Sequence, residues 1–169
     1  MTASFGSPAA LARAGFAGFT PIHVLRSGGL GSVPESPGVY AVVRSPHRPP
    51  RFLAASAGGR WKGRDPTVAV ERLRAKWVLG AIVLYIGQSG GGGRRGTLRG
   101  RLAELLAFGG GAPARHWGGR FMWQLAGVES ASVCWTATPA ANARDAERSL
   151  LDEFAAEYGA LPFANLRRG

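Results

Sequence analysis

Apolar residues along this chain recur at two spacings, and each spacing predicts its own kind of element. Gly38-Val39-Tyr40-Ala41-Val42-Val43 follows a proline and is β-branched and aromatic, which predicts a strand. Ala81-Ile82-Val83-Leu84-Tyr85-Ile86 is apolar on both faces, so a second strand is expected in the middle of a sheet. Leu98, Leu102, Leu105 and Leu106 repeat at helical offsets up to Phe108. Another helix is expected over 114–125, weakened by Gly118 and Gly119, and a third strand over 131–137. Residues 143–158 carry the clearest helical period, with Gly159 as its cap.

Between these elements the chemistry is that of loops. Residues 1–20 are rich in Ala and Gly and predict a loose arm or a short helix, and 20–37 ends in a Pro, Ser and Gly cluster. Residues 44–79 are mixed and basic, with Pro46, Pro49, Pro50 and Pro66 opposing long regular elements. No internal repeat is visible. The order β, β, α, α, β, α predicts a small α+β domain: a three-stranded, mainly antiparallel sheet flanked by helices, with a long insertion between the first two strands. The domain is expected over 37–169, with 1–36 as an N-terminal arm or extension.

One residue departs from this pattern. On the last helix Ala143, Glu147, Leu150, Leu151, Phe154 and Tyr158 share one stripe, which sets Glu147 among apolar side chains. An ionised carboxylate is costly to bury alone, so Glu147 requires a cationic partner, a metal ion or a raised pKa. A buried Glu–Arg pair, or an edge position that reaches water, satisfies the same constraint.

Composition adds a partner class. The chain has 169 residues, 46% of them hydrophobic and 18% charged, as in an ordinary globular domain. Its net charge is +11, carried almost wholly by arginine, with Lys62 and Lys76 as the two lysines. Guanidinium forks suit phosphate oxygens, so a polyanionic partner is favoured, although a GC-rich coding sequence inflates arginine as well. Cys134 stands alone in an apolar run, which excludes an internal disulfide or a cysteine zinc cluster. The run from Leu11 to Phe19 is too short and too broken for a signal peptide, and no stretch has membrane-spanning length. A cytoplasmic protein is expected.

Five landmarks then fall in order. Gly38-Val39-Tyr40 and Tyr85-Ile86-Gly87 are followed by Arg101-Leu102 on the first helix, by Ala146-Glu147-Arg148-Ser149-Leu150-Leu151 on the last, and by Pro162-Phe163-Ala164-Asn165. Over roughly Pro37 to Asn165 the chain resembles the GIY-YIG nuclease family, whose two strand motifs, arginine-bearing helix, metal-binding glutamate and closing asparagine these residues match. It departs in spacing: 44 residues separate Tyr40 from Tyr85 where the family has a short hairpin, and Glu147 precedes Asn165 by 18 positions.

The resemblance implies an endonuclease hydrolysing DNA phosphodiester bonds with one Mg2+ or Mn2+. Glu147 anchors the ion, Arg101 holds the phosphate, Tyr40 orients or deprotonates the attacking water with Tyr85 nearby, and Asn165 braces the site. Helical position leaves Arg99 and Arg101 equal, since both flank the leucine stripe; the resemblance alone selects Arg101. The insertion is the expected DNA grip. From Arg44 to Lys76 it holds Arg44, Arg48, Arg51, Arg60, Lys62, Arg64, Arg72, Arg74 and Lys76 against Asp65 and Glu71. Arg94, Arg95 and Arg99 extend this basic set. Phe52, Trp61 and Trp77 are interleaved, Trp77 expected to pack beside its strand and Trp61 either to pack or to stack on bases.

Two further patterns carry less. Gly91-Gly92-Gly93-Arg94-Arg95-Gly96 fits a dinucleotide-binding string but lacks the acidic residue about twenty positions on. His116 beside Trp117 is read as packed or surface, and the histidines form no zinc set. Two other readings stay open: a non-catalytic nucleic-acid-binding module on the same fold, and a cutting subunit directed by a targeting partner protein.

Overall fold

A computed structural model describes residues 4–45, 49–91 and 96–168. The chain folds as α+β: four antiparallel strands, β1 (Ala17–Pro21), β2 (Gly38–Val43), β3 (Val83–Ser89) and β4 (Ser132–Ala137), in the order β1-β4-β2-β3. The three-stranded expectation is corrected by β1. Its burial does not alternate, Gly18 and Phe19 take positive φ, and its pairing with β4 is interrupted by a register shift, so it has none of the periodicity that marks a strand. Helices α1 (Pro8–Arg13), α2 (Ile22–Arg26), α3 (Val70–Lys76), α4 (Leu98–Gly109) and α5 (Ala143–Tyr158) surround the sheet. The helix expected over 114–125 is instead a 3-10 segment, Trp117–Gln124. The loop expected over 20–37 contains α2, and the strand expected at 81–86 is shifted toward its polar end, because Gln88 and Ser89 still pair with Val39 and Gly38.

Alternation along β2 divides the interior into two cores. Tyr40 and Val42 point toward α4, joining Leu98, Leu102 and Leu105, with Val133 and Trp135 of β4. Val39, Ala41 and Val43 point the other way, toward Leu151 and Phe154 of α5 and toward Phe5 and Leu11 of the N-terminal segment. That segment is not loose: Ser7 caps α1 by accepting from the Ala10 amide, and Phe5 meets Phe154 edge-on at 5.3 Å.

The insertion is pinned by one buried polar side chain. Gln124 Nε2 donates to the Leu53 and Val68 carbonyls at 2.9 and 2.8 Å, and its Oε1 accepts from the Val68 amide at 3.0 Å. Leu53 and Ala57 amides donate to the Gln124 and Trp123 carbonyls, so the insertion lies along the 3-10 segment. Trp77 packs as expected, against Phe52 and Phe163 at 5.8 and 5.2 Å.

Candidate functional site

The site is built around the edge strand β3. Tyr40 pairs with Gly87, and Tyr85 pairs with Val42, so the two tyrosines are diagonal neighbours on one face, with ring centroids 6.1 Å apart. Both tripeptide glycines are required by close approach. A Cβ at Gly87 would stand 2.6 Å from the Tyr40 hydroxyl, and one at Gly38 would stand 2.2 Å from the Thr136 carbonyl oxygen and 2.9 Å from Leu98. The first glycine leaves room for the phenol; the second lets α4 sit tightly over the sheet.

Asn165 closes the outer edge of β3. Its Nδ2 donates to the Ile86 carbonyl at 2.8 Å and its Oδ1 accepts from the Ile86 amide at 2.9 Å, reproducing a strand rung with a side chain. The Ala164 amide adds a bond to the Leu84 carbonyl at 2.8 Å. A sheet edge is thereby satisfied, and Tyr85, one residue from Ile86, is held in place.

Arg101, on the second turn of α4, donates from Nη1 to Glu104 at 2.9 Å and to the Arg115 carbonyl at 3.2 Å. Burial works to lower its pKa, but the Tyr40 and Tyr85 phenols and Glu104 outweigh that and raise it, so the guanidinium stays charged. Glu147, on the second turn of α5, shares with Arg101 and Tyr85 an open cleft of about 740 Å3, also lined by Trp61, Gln88, Arg115, Trp117, Arg120, Arg144, Asn165 and Arg167. Desolvation raises the Glu147 carboxyl above its usual range, against the opposing pull of Arg101 and Arg144. Among the described residues lining the cleft, five arginines face one carboxylate.

His116, expected to be packed or at the surface, is packed: it is buried and in contact with the tyrosines. Its Nε2 lies 2.8 Å from the Tyr40 hydroxyl, and its ring meets Tyr85 edge-on at 5.6 Å. Burial, helped by Arg101, pulls its pKa down to about 3, so the imidazole is neutral. Periodicity could not reveal it, because it precedes Trp117-Gly118-Gly119 in an irregular stretch. Tyr40 is wholly buried, and its phenol is raised well above the ordinary value by burial and then by Tyr85. Burial likewise pushes Tyr85 up to about 12. Neither tyrosine is a phenolate in the unliganded protein.

The remaining basic residues are dispersed. Arg99 is turned to Glu35 and to the Val33 and Gly31 carbonyls. Arg51 borders a separate cavity with Arg44 and Trp77. Arg60, Lys62 and Arg64 are exposed around a tight turn next to Trp61, with Arg60 3.1 Å from Asp65. Arg72 lies over Phe121 at 5.3 Å, and Arg120 over Trp117 at 4.7 Å. Arg74 is exposed and Lys76 half-buried on α3. Arg48, Arg94 and Arg95 lie outside the described residues.

Among the described residues, three or more His, Cys, Asp or Glu side chains do not gather as a metal cage. Two oxygen donors border the cleft: the Glu147 carboxylate and the Gln88 Oε1, a buried oxygen with no hydrogen-bond partner among the described residues. Mg2+ accepts one or two protein oxygens and completes its shell with water, and two hard oxygen donors on a cleft wall are compatible with that demand. No helix among the described residues is long and apolar enough to cross a membrane. Comparison with known proteins finds no matching family model, no matching curated protein and no matching solved structure.

Proposed function

We propose that this chain is a divalent-metal-dependent endonuclease of the GIY-YIG kind, hydrolysing phosphodiester bonds in DNA. The observation that carries the reading is one cleft in which Tyr85, Arg101 and Glu147 meet, with Tyr40 and His116 hydrogen-bonded behind it. These residues are distant in sequence, and an arginine-rich wall around a single carboxylate suits a phosphate more than a neutral substrate.

Glu147 and Gln88, both on the cleft wall, would hold the ion, Mg2+ or Mn2+, which when bound offsets the charge of the phosphate and of the departing oxygen. Arg101 is charged at every working pH and holds a non-bridging phosphate oxygen. Burial divides the two tyrosines: Tyr40 is sealed from solvent whereas Tyr85 borders the cleft, so Tyr85 is the phenol assigned to the attacking water. Tyr85 orients the attacking water, with Tyr40 held behind it by the 2.8 Å hydrogen bond between its hydroxyl and His116 Nε2, and as water adds to phosphorus its proton passes to solvent. The P–O bond opposite the water breaks, and solvent protonates the leaving oxygen.

Supercoiled plasmid incubated with Mg2+ or Mn2+ is the test. Nicked or linear product from the wild type, lost in Glu147→Gln, supports the nuclease. DNA binding without cleavage in either divalent ion favours the non-catalytic binding module instead.

A further inference from the structure

The chain has five tryptophans, and packing accounts for three of them. Trp123 and Trp135 are buried, and Trp77 stacks with Phe52 and Phe163. Trp117 leans on the core but also borders the cleft. Trp61 is different: among the described residues it belongs to neither core, and the ring contact recorded for it is the Arg115 guanidinium at 6.0 Å.

The position of Trp61 is set by a tight turn. Its amide donates to the Arg64 carbonyl at 3.1 Å, and the Arg64 amide donates back at 3.0 Å, closing a two-residue turn. Lys62 and Gly63 at its centre take φ of 51° and 76°, the primed geometry that matches strand twist. A lysine in the left-handed region is unfavourable, so the turn is fixed by its closing bonds and not by local preference. The turn sets the indole on the cleft wall and exposes Lys62 and Arg64 beside it. Arg115, which caps the indole, receives the Arg101 hydrogen bond on its carbonyl.

We infer that Trp61 is a stacking platform for an unpaired base next to the phosphate held by Arg101, so that the preferred substrate is DNA with a single-stranded segment. This rests on the nucleic-acid reading of the cleft. A π-face beside a guanidinium, flanked by exposed cations, is the arrangement that grips single strands without reading sequence. Bases within an intact duplex are already stacked on each other and present no face to the indole unless one is flipped out.

The test uses the full chain carrying Glu147→Gln, so that binding is read without cleavage. Its probes are a single-stranded oligonucleotide of about 12 residues containing 2-aminopurine and a blunt duplex of the same sequence. Expected are quenching of 2-aminopurine on the single strand, and a loss of about tenfold in single-strand affinity on adding Trp61→Ala, with duplex affinity unchanged and Trp61→Phe largely restoring the single strand. Equal loss on both probes, no loss on either, or no single-strand binding overturns the inference. Plasmid nicking by the wild type is scored separately. Stacking without cleavage of either the plasmid or the single strand by the wild type removes the nuclease and leaves this inference, whereas cleavage with an indifferent Trp61 removes this inference alone.

Discussion

Glu147 and His116 have shifted pKa values of opposite consequence, and both are testable as stability. Burial raises the Glu147 carboxyl, so its contribution to stability is present at low pH and is lost as pH rises through its folded-state value. At neutral pH the ionised carboxylate therefore costs the fold something that a bound cation returns. Glu147→Gln is expected to abolish nicking, by at least about 100-fold, while leaving the melting temperature equal or higher. Mg2+ should raise the melting temperature of the wild type and leave that of Glu147→Gln unmoved, as calorimetry would show. A variant that melts well below the wild type would make Glu147 a structural ion-pair partner instead. His116 is depressed to about 3, so its stabilisation is present above pH 6.5 and is lost as pH falls from there toward 3. Across that window unfolding takes up about one proton, a slope of about 1.4 kcal/mol per pH unit. His116→Gln removes that proton, and urea unfolding between about pH 4 and 6 should show a correspondingly flatter acid limb. Parallel acid limbs for the two proteins would mean that the folded state admits a charged imidazole.

At the scale of elements, the β3 edge depends on a side chain standing in for a strand. Asn165→Ala leaves the Ile86 amide and carbonyl unpaired in a buried setting, and about 2–4 kcal/mol of stability is expected to go with them. Asn165→Asp keeps the acceptor and loses the donor, so it should fall between, as read by urea midpoints. If both variants unfold with the wild type, the edge is being satisfied by water. The same strand shows what could be read from the chain and what could not. β2 and α5 were legible because each has one strong signal: four β-branched or aromatic residues among six in one, and an apolar stripe interrupted by Glu147 in the other. α4 was legible for the same reason, with Thr97 capping it through the Gly100 amide. β1 was not, because an irregular, half-exposed edge strand has neither alternation nor an apolar run. The site divided in the same way. Glu147 could be picked out from its helical stripe, and Tyr40, Tyr85, Arg101 and Asn165 through the family resemblance, the last of them in the loop beyond α5, whereas His116 and Gln88 could not: the first lies in an irregular segment, and the second at the polar end of a strand, where nothing in the local pattern asks for a buried amide.

For the whole molecule the question is where a net charge of +11 is concentrated. Arg26, Arg99 and Arg168 are engaged by Glu129, Glu35 and Asp152 away from the cleft. Inside it Arg115, Arg120, Arg144 and Arg167 join Arg101 against Glu147, and the turn adds Lys62 and Arg64 at its lip. Arg120 has its pKa lowered by burial and then by the nearby Arg72 and Arg64, which shows that cations crowd one another on this side. Such crowding is relieved when phosphates enter and counterions leave, so the logarithm of affinity should fall steeply with the logarithm of salt, by about 0.9 for each phosphate neutralised. Replacing Arg60, Lys62 and Arg64 together by glutamate should therefore weaken binding to any DNA and reduce that slope by about 2 to 3, since each contact contributes roughly equally. Arg13→Glu, at the exposed end of α1, changes net charge without touching the cleft and should leave the slope nearly intact. A slope lowered equally by both variants would mean that DNA responds to the total charge of the molecule, and the cleft would lose its claim to be the binding face.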